Sequence, residues 1–282
     1  MSRNKQRTAA ATDAVAATAP TIPAAPASLS YVTPTEFVEL PSRGQFYPPD
    51  HPLHGKDVIE MRYMTAKDED ILTSPALLKK GIAIDRLLQN LVVDKNINPN
   101  NLLIGDKNAL LLAARISGYG EEYPVALQCN SCGEAMQHEF NLSELELNHG
   151  VQPEDESNVS VTDRGTFIAE LPVTKFSAEF RLLTGDDEAY LQQSAEKLKK
   201  HNLPQASATN LLKRLVIAVN SVEAPSEISG FIDNMPAQDA RFLRACVQTV
   251  TPNVNMSQDV ECSSCGAVTE MAVPFTSEFF WP

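Results

Sequence analysis

Two stretches far apart in the chain carry the same turn of two cysteines and a glycine: LQCNSCGEA at 127–135 and VECSSCGAV at 260–268. Each Cys-x-x-Cys-Gly knuckle offers two thiolates, and a structural zinc takes four ligands. Neither pair completes such a site alone. Taken together, Cys129, Cys132, Cys262 and Cys265 predict one shared, zinc-ribbon-like site and a chain that folds back across the 129 residues between Cys132 and Cys262. Closing a loop of that length costs about 4 kcal/mol from the logarithmic term. Structural zinc binding is worth roughly 10 to 16 kcal/mol in apparent terms, so the metal can offset the closure. Gly133 and Gly266 allow the tight turn after each second cysteine, where a side chain at positive φ would be strained.

The cysteine count supports a metal over a disulfide framework. Four of the five cysteines form two pairs of identical spacing, the pattern of a metal site in a reducing compartment. The fifth, Cys246 in RFLRACVQTV, reads as a buried, inert core thiol. A Cys-Cys-His-His set from Cys129, Cys132, His138 and His149 is a rival, but its spacings are unusual and it orphans the second knuckle. His51 and His54, in a Pro-rich loop, read as surface residues. A zinc held by four thiolates has no open coordination position, which points to a structural role. The chain also lacks a glycine-rich phosphate loop, a Gly-x-Ser-x-Gly elbow and a His-Glu-x-x-His helix, and the expectation is that it is not an enzyme.

The knuckles end two similar halves. MRYMTAKDEDIL at 61–72 aligns without gaps with FRLLTGDDEAYL at 180–191, each a strand entering a helix. Thr65 and Thr184 are N-cap candidates, with Asp68 and Asp187 three residues later in a capping-box-like position. LLQNLVVDKN at 87–96 matches LLKRLVIAVN at 211–220, with leucines and valines spaced as one helix face. NALLLAARI from 108 and DARFLRACV from 239 predict a helix ahead of each knuckle, with Asp106 as a cap for the first and Pro236 near the start of the second. VELPSRGQFY at 38–47 resembles AELPVTKFSA at 169–178, and the first copy is lengthened by the Pro-rich YPPDHPLH. The chain reads as a tandem duplication.

Composition narrows the function. The net charge of −13 works against nucleic-acid binding, which draws its affinity from Lys and Arg displacing counterions. No run approaches the roughly 18 apolar residues of a membrane span, and the first thirty residues lack the apolar segment of a secretory signal. Those thirty residues are small, Ala- and Pro-rich and without a periodic apolar face, as in a disordered tail. The acidic PEDES at 153–157 lies in a predicted linker.

LPSRGQFYP, then MTAKDEDIL, then GDKNALLLAARISGYGEEYPVALQCNSCG occur in that order over roughly 36–145, and together they resemble the phage T4-type baseplate protein family, whose members belong to the tail baseplate hub or its assembly. The second half joins this resemblance through the internal repeat. The resemblance implies a role in building a contractile-tail baseplate, with protein partners and no known chemistry. It places the chain in the host cytoplasm during assembly and in the virion tail. Two readings from other classes stand beside it: a zinc-ribbon module of nucleic-acid machinery, and an enzyme with an unrecognised site. An assembly chaperone absent from the mature virion is a further alternative to a structural baseplate component.

The expected architecture is therefore α+β, a duplicated strand-plus-three-helix unit with each copy ending in a knuckle. Residues 1–30 form the tail, 31–150 the first repeat, 151–166 the acidic linker and 167–282 the second repeat. The helix triplets of the two copies are expected to share one interface. In the C-terminal FTSEFFWP, Phe275, Phe279, Phe280 and Trp281 are candidate partner contacts, since Phe and Trp anchor many interfaces. The alternative is that they pack on the protein's own knuckle.

Overall fold

A computed structural model describes residues 32–150, 159–200, 207–274 and 277–280. The predicted tail at 1–30, Phe275 and Trp281 lie outside those residues. The fold is mixed α+β, as expected, with helices and several small sheets.

In the first half, β1 (Thr35–Glu39) pairs antiparallel with β2 (Val58–Arg62). Helix α1 (Ala66–Leu72) starts where Thr65 takes extended backbone angles, and its N–H donates to Asp68 Oδ2 at 2.9 Å. Pro75 opens α2 (Pro75–Lys80), and Gly81 closes it in the left-handed conformation. Helix α3 (Ala83–Leu91) buries Ala83, Leu87, Leu88 and Leu91 on one face. The long α4 (Ile104–Tyr119) follows, then the hairpin β3 (Glu122–Gln128) and β4 (Ala135–Asn141) and a short strand β5 (Leu147–Asn148).

The second half also runs from strands through helices to a hairpin, with an additional strand between its helices. Strands β6 (Val159–Val161), β7 (Phe167–Glu170) and β8 (Ser177–Phe180) lead to α5 (Gly185–Lys200) and α6 (Ser207–Leu215). Strand β9 (Val216–Val219) completes an antiparallel four-stranded sheet in the order β6-β7-β8-β9. Then come α7 (Pro225–Asp233), α8 (Ala237–Val250), β10 (Asn253–Val254) and the hairpin β11 (Ser257–Glu261) and β12 (Val268–Ala272).

Several expectations need correction. Each half contains four helices among the described residues, not three. The segments 87–96 and 211–220 are not single helix faces: their leucines are helical, but the helices end at Leu91 and Leu215. Val92 then bridges Met61, and Val216–Val219 joins β8. β-branched side chains are stiff on a helix and pack well on a sheet, and in both halves a strand offers its edge at that point. Of the predicted linker at 151–166, residues 151–158 lie outside the described set, whereas 159–161 form β6 with Val159 buried.

Asp106 does not cap α4, because Leu103 holds the N-cap position. The Asp106 carboxylate instead reaches back to the first loop. It accepts from the Ser42 N–H (2.9 Å), the Ser42 hydroxyl (2.6 Å) and the Tyr47 hydroxyl (2.8 Å). Asp239 does the same in the second half, accepting from the Val173 and Thr174 N–H groups (2.8 and 3.0 Å) and the Thr174 hydroxyl (2.9 Å). Asp106 therefore matches Asp239, two positions away from the pairing of Asn108 with Asp239 that the sequence patterns gave. On this register α4 and α8, their N-cap residues Leu103 and Pro236, and both knuckles are all 133 positions apart.

The halves meet in one hydrophobic core, but not through two helix triplets. Helices α1 and α3 pack together in the first half, and α6 and α7 in the second. The junction is made by the start of α4, the start of α5 and strand β10. Leu103 bridges Thr184, Ile104 N–H donates to Leu183 O (3.1 Å), and β5 pairs with β10. Gly105 makes the crossing possible, since a Cβ there would lie 2.0 Å from the carbonyl oxygen of Pro252. Lys107 sits beside it, 2.9 Å from Asp85 and 3.8 Å from Glu188 of the other half.

The C-terminal turn at Ser277–Phe280 also returns to this core. Phe279 and Phe280 are buried, at 1% and 3% exposure. The Phe279 ring meets Tyr123 edge-on at 5.3 Å, and Arg115 Nε donates to Phe279 O at 2.9 Å. The structure thus places these two expected contact residues inside, where a partner could reach them only by displacing them. The reason is a distant partner: Arg115 is itself buried and its guanidinium needs carbonyl partners, which it finds in Phe279, Gly120 and Glu122.

Candidate metal centre

Two hairpins carry the four cysteines. The β3–β4 ladder runs from Glu122 opposite Asn141 to Gln128 opposite Ala135, and β11–β12 from Ser257 opposite Ala272 to Glu261 opposite Val268. Each hairpin ends in the same knuckle. Cys129 N–H donates to Glu134 O and Gly133 N–H to Cys129 O, both at 2.9 Å. In the other knuckle Cys262 N–H donates to Ala267 O (2.9 Å) and Gly266 N–H to Cys262 O (2.8 Å). Gly133 and Gly266 sit at φ of 76° and 69°, the left-handed turn expected from the sequence.

The knuckles face each other. Cys129 Sγ lies 3.9 Å from Cys265 Sγ, and Cys132 Sγ lies 3.8 Å from Cys262 Sγ. All four sulfurs lie within 4.8 Å of one another. A disulfide would require about 2.05 Å, and all five cysteines are free thiols. A regular tetrahedron with metal–sulfur bonds of about 2.3 Å has sulfur–sulfur edges of about 3.8 Å. The two cross-knuckle distances fit that edge. Cys129 and Cys262, the first of each pair, are buried, and Cys132 and Cys265 are exposed. Such a site lies at the surface with its inner half shielded.

The local electrostatics favour a thiolate but resist several at once. Backbone N–H groups of Cys132 and Ser131 aimed at Cys129 lower its thiol to about 6; the Ser131 N–H lies 3.4 Å from the sulfur. At Cys132 the Glu134 N–H also favours the thiolate, but hydrogen bonds to Cys129 and Cys265 outweigh it and push the thiol up to about 12. Four thiolates this close need a cation to balance them.

The histidine alternative is not assembled. His149 Nδ1 lies 2.9 Å from Pro41 O, and His138 meets the Phe140 ring edge-on at 4.7 Å. The four cysteines are the group of metal-ligating side chains found among the described residues. Cys246 is buried away from them, and burial raises its thiol.

Sequence reasoning missed two structural groups. The carboxylate clamps of Asp106 and Asp239 were hidden by the shifted register, although Ser42 and Thr174 in the matching loops were a usable signal. The second group is built on the arginine that MRYMTAKDEDIL and FRLLTGDDEAYL share. Arg62 makes two bonds to Asp68 (2.7 and 2.8 Å), and Arg181 makes two to Asp187 (2.6 and 2.9 Å). Arg214 adds a third contact to Asp187 at 2.8 Å.

A helix with a carboxylate clamp near its start and a hairpin ending in a cysteine knuckle thus occur in the same order twice, as α4 with β3–β4 and as α8 with β11–β12. The profile of the family described as "T4 bacteriophage base plate protein" matches residues 33–281, across both halves. The chain belongs to that family. Neither the curated proteins nor the solved structures gave a match. For this bacteriophage baseplate protein the family match reaches beyond 36–145, where the motifs are densest, through the second knuckle. No helix among its described residues is long and apolar enough to cross a membrane.

Proposed function

We propose that this baseplate protein is a structural or assembly component of the contractile-tail baseplate hub, acting by binding other tail proteins, with one structural zinc held by Cys129, Cys132, Cys262 and Cys265. The observation that carries the reading is the closed set of four sulfurs, within 4.8 Å of one another, in a chain of the baseplate family. Four thiolate ligands leave a zinc no position for water or substrate, so its work is to tie two hairpin tips together. Tetrahedral sulfur coordination also suits iron, and the metal is identified by elemental analysis.

The net charge of −13 favours protein partners over nucleic acid. One cleft, of about 520 Å³, is lined by residues such as Leu78, Ile84, Leu111 and Phe280, and its Lys107 is already paired with Asp85. That lining contains no Cys, Ser or His, and its two carboxylates, Asp85 and Glu188, both face Lys107. The common strand–helix–knuckle order, the paired clamps and the constant spacing support a tandem duplication as the origin of the two halves.

Mass spectrometry of purified tails and of baseplate assembly intermediates tests the role. Presence in finished tails supports a structural component, and presence only in intermediates supports an assembly factor of the host cytoplasm. Absence from both refutes the reading.

A further inference from the structure

In the second half, β7 has a strand on each side, β8 on one and β6 on the other. Its counterpart β1 has β2 on one side and, among the described residues, no strand on the other. Tyr63 N–H donates to Pro34 O (2.9 Å) and Leu40 N–H to Asp57 O (2.8 Å). By the alternation of an antiparallel ladder, residues 34, 36, 38 and 40 spend their backbone groups on β2, and the N–H and C=O groups of Thr35, Phe37 and Glu39 point out of the sheet. In β7 the residue matching Phe37 is Ile168, which lies opposite Ser160 of β6. In β1 the same edge is open: Phe37 is 70% exposed, with Val58 partly exposed on the same face.

A second difference marks what the open edge would accept. Where β7 has Phe167, buried and opposite Val161 of β6, β1 has Glu36. One carboxylate oxygen of Glu36 is shielded from solvent and, among the described residues, has no hydrogen-bond partner. Burial raises its pKa, as expected for a charge lacking a donor. Glu39 and Glu60 add negative charge nearby, and the neighbouring Arg62 is committed to Asp68.

We propose that the outer edge of β1 is a docking site for an extended segment of another baseplate subunit, which adds as an antiparallel strand and sets a lysine or arginine opposite Glu36. Strand addition draws affinity from main-chain hydrogen bonds and specificity from alternate side chains, and this edge offers both. A second copy of this chain is the poorer occupant, because pairing β1 with β1 gathers Glu36, Glu39 and Glu60 from each copy. The inference rests on the protein-binding role proposed above.

Site-resolved hydrogen exchange on the free protein and on the purified baseplate or assembly intermediate tests it. The amides of Thr35, Phe37 and Glu39 should exchange fast in the free protein and at least ten-fold more slowly in the assembly, with Glu36 and Val38 unchanged. Phe37→Pro removes an outward N–H without breaking a bond to β2 and should cut incorporation at least ten-fold. Phe37→Ala, which keeps the N–H, should cut it less, with metal content and melting temperature of both variants near wild type. Equal exchange of the three amides in both states overturns the proposal. So does slow exchange in the free protein together with a dimer mass, which would assign the edge to a second copy. A chain found in the assembly with its edge unprotected defeats this inference alone, whereas a chain absent from tails and intermediates defeats the functional reading beneath it.

Discussion

Replacing Cys129 by serine leaves three thiolates around the proposed zinc, and the structure sets how far the damage spreads. The β3–β4 hairpin is anchored at its base by buried Tyr123 and Phe140, opposite one another, and its outer pairs are partly or fully exposed. Without the metal, the tips near 127–136 and 260–269 lose their mutual tether. The Leu103–Thr184 bridge, the β5–β10 pairing and the core around Phe279 do not depend on it. At free zinc one hundred-fold above its dissociation constant, binding adds about 2.7 kcal/mol to stability. For a chain of this size each kcal/mol moves the midpoint by about 2 to 4 °C, so the variant should melt about 5 to 10 °C lower and remain folded. Elemental analysis should give one zinc per wild-type chain and none for Cys129→Ser or Cys265→Ser, while Cys246→Ser retains it. Hydrogen exchange should rise at the two tips and stay slow in α4. Two zincs per chain, or zinc kept by the Cys129→Ser, Cys132→Ser double variant, would refute a shared site. Loss of protection throughout α4 would refute the limited spread.

Other perturbations probe the clamps and the C-terminus. Asp239→Ala leaves two N–H groups and a hydroxyl without their acceptor and should cost about 3 kcal/mol in urea unfolding. At pH 7 Asp239→Asn should cost more than Asp106→Asn. Burial opposes the charge at both, but it prevails at Asp106, raising its pKa, and is outweighed at Asp239 by the Val173 and Thr174 donors; the reverse order would contradict that balance. Asp68 is lowered to about 2: burial opposes its charge, but bonds from Arg62 and Thr65 outweigh it. The stability it supplies, about 2 kcal/mol at most, is therefore full above its unfolded pKa near 4 and lost as the pH falls toward 2. The stability gap between wild type and Asp68→Asn should close over that window, and a gap unchanged from pH 7 to 2 would count against the assignment. Phe279→Ala should cost about 3 to 5 kcal/mol, and truncation after Thr276 should lower the melting temperature; wild-type melting for both would return Phe279 and Phe280 to the role of surface contacts.

The sequence alone determined what depends on a few neighbouring residues. Cys-x-x-Cys-Gly specifies a knuckle through its own backbone bonds and a left-handed glycine, so both half-sites were legible. Thr-x-x-Asp marks the starts of α1 and α5 for the same reason, since Thr65 with Asp68 and Thr184 with Asp187 bond over three residues. The pairing of the knuckles followed from ligand number, because a tetrahedral metal needs more thiolates than either supplies.

Tertiary structure decided whatever depended on groups distant in the chain. Asp106 resembles a helix cap until Ser42 and Tyr47, about 60 positions earlier, claim its oxygens, and that clamp also fixes the true register of α4 against α8. The valines after Leu91 and Leu215 could extend a helix, but Val92 bridges to β2 and Val216–Val219 forms a strand on β8, because those strands present edges to them. Phe279 and Phe280 have the composition of an interface, yet they are core because Arg115, 164 positions before Phe279, is buried and takes its carbonyl. A local pattern records the preferences of a segment, whereas burial and hydrogen-bond satisfaction are settled by which distant groups arrive beside it.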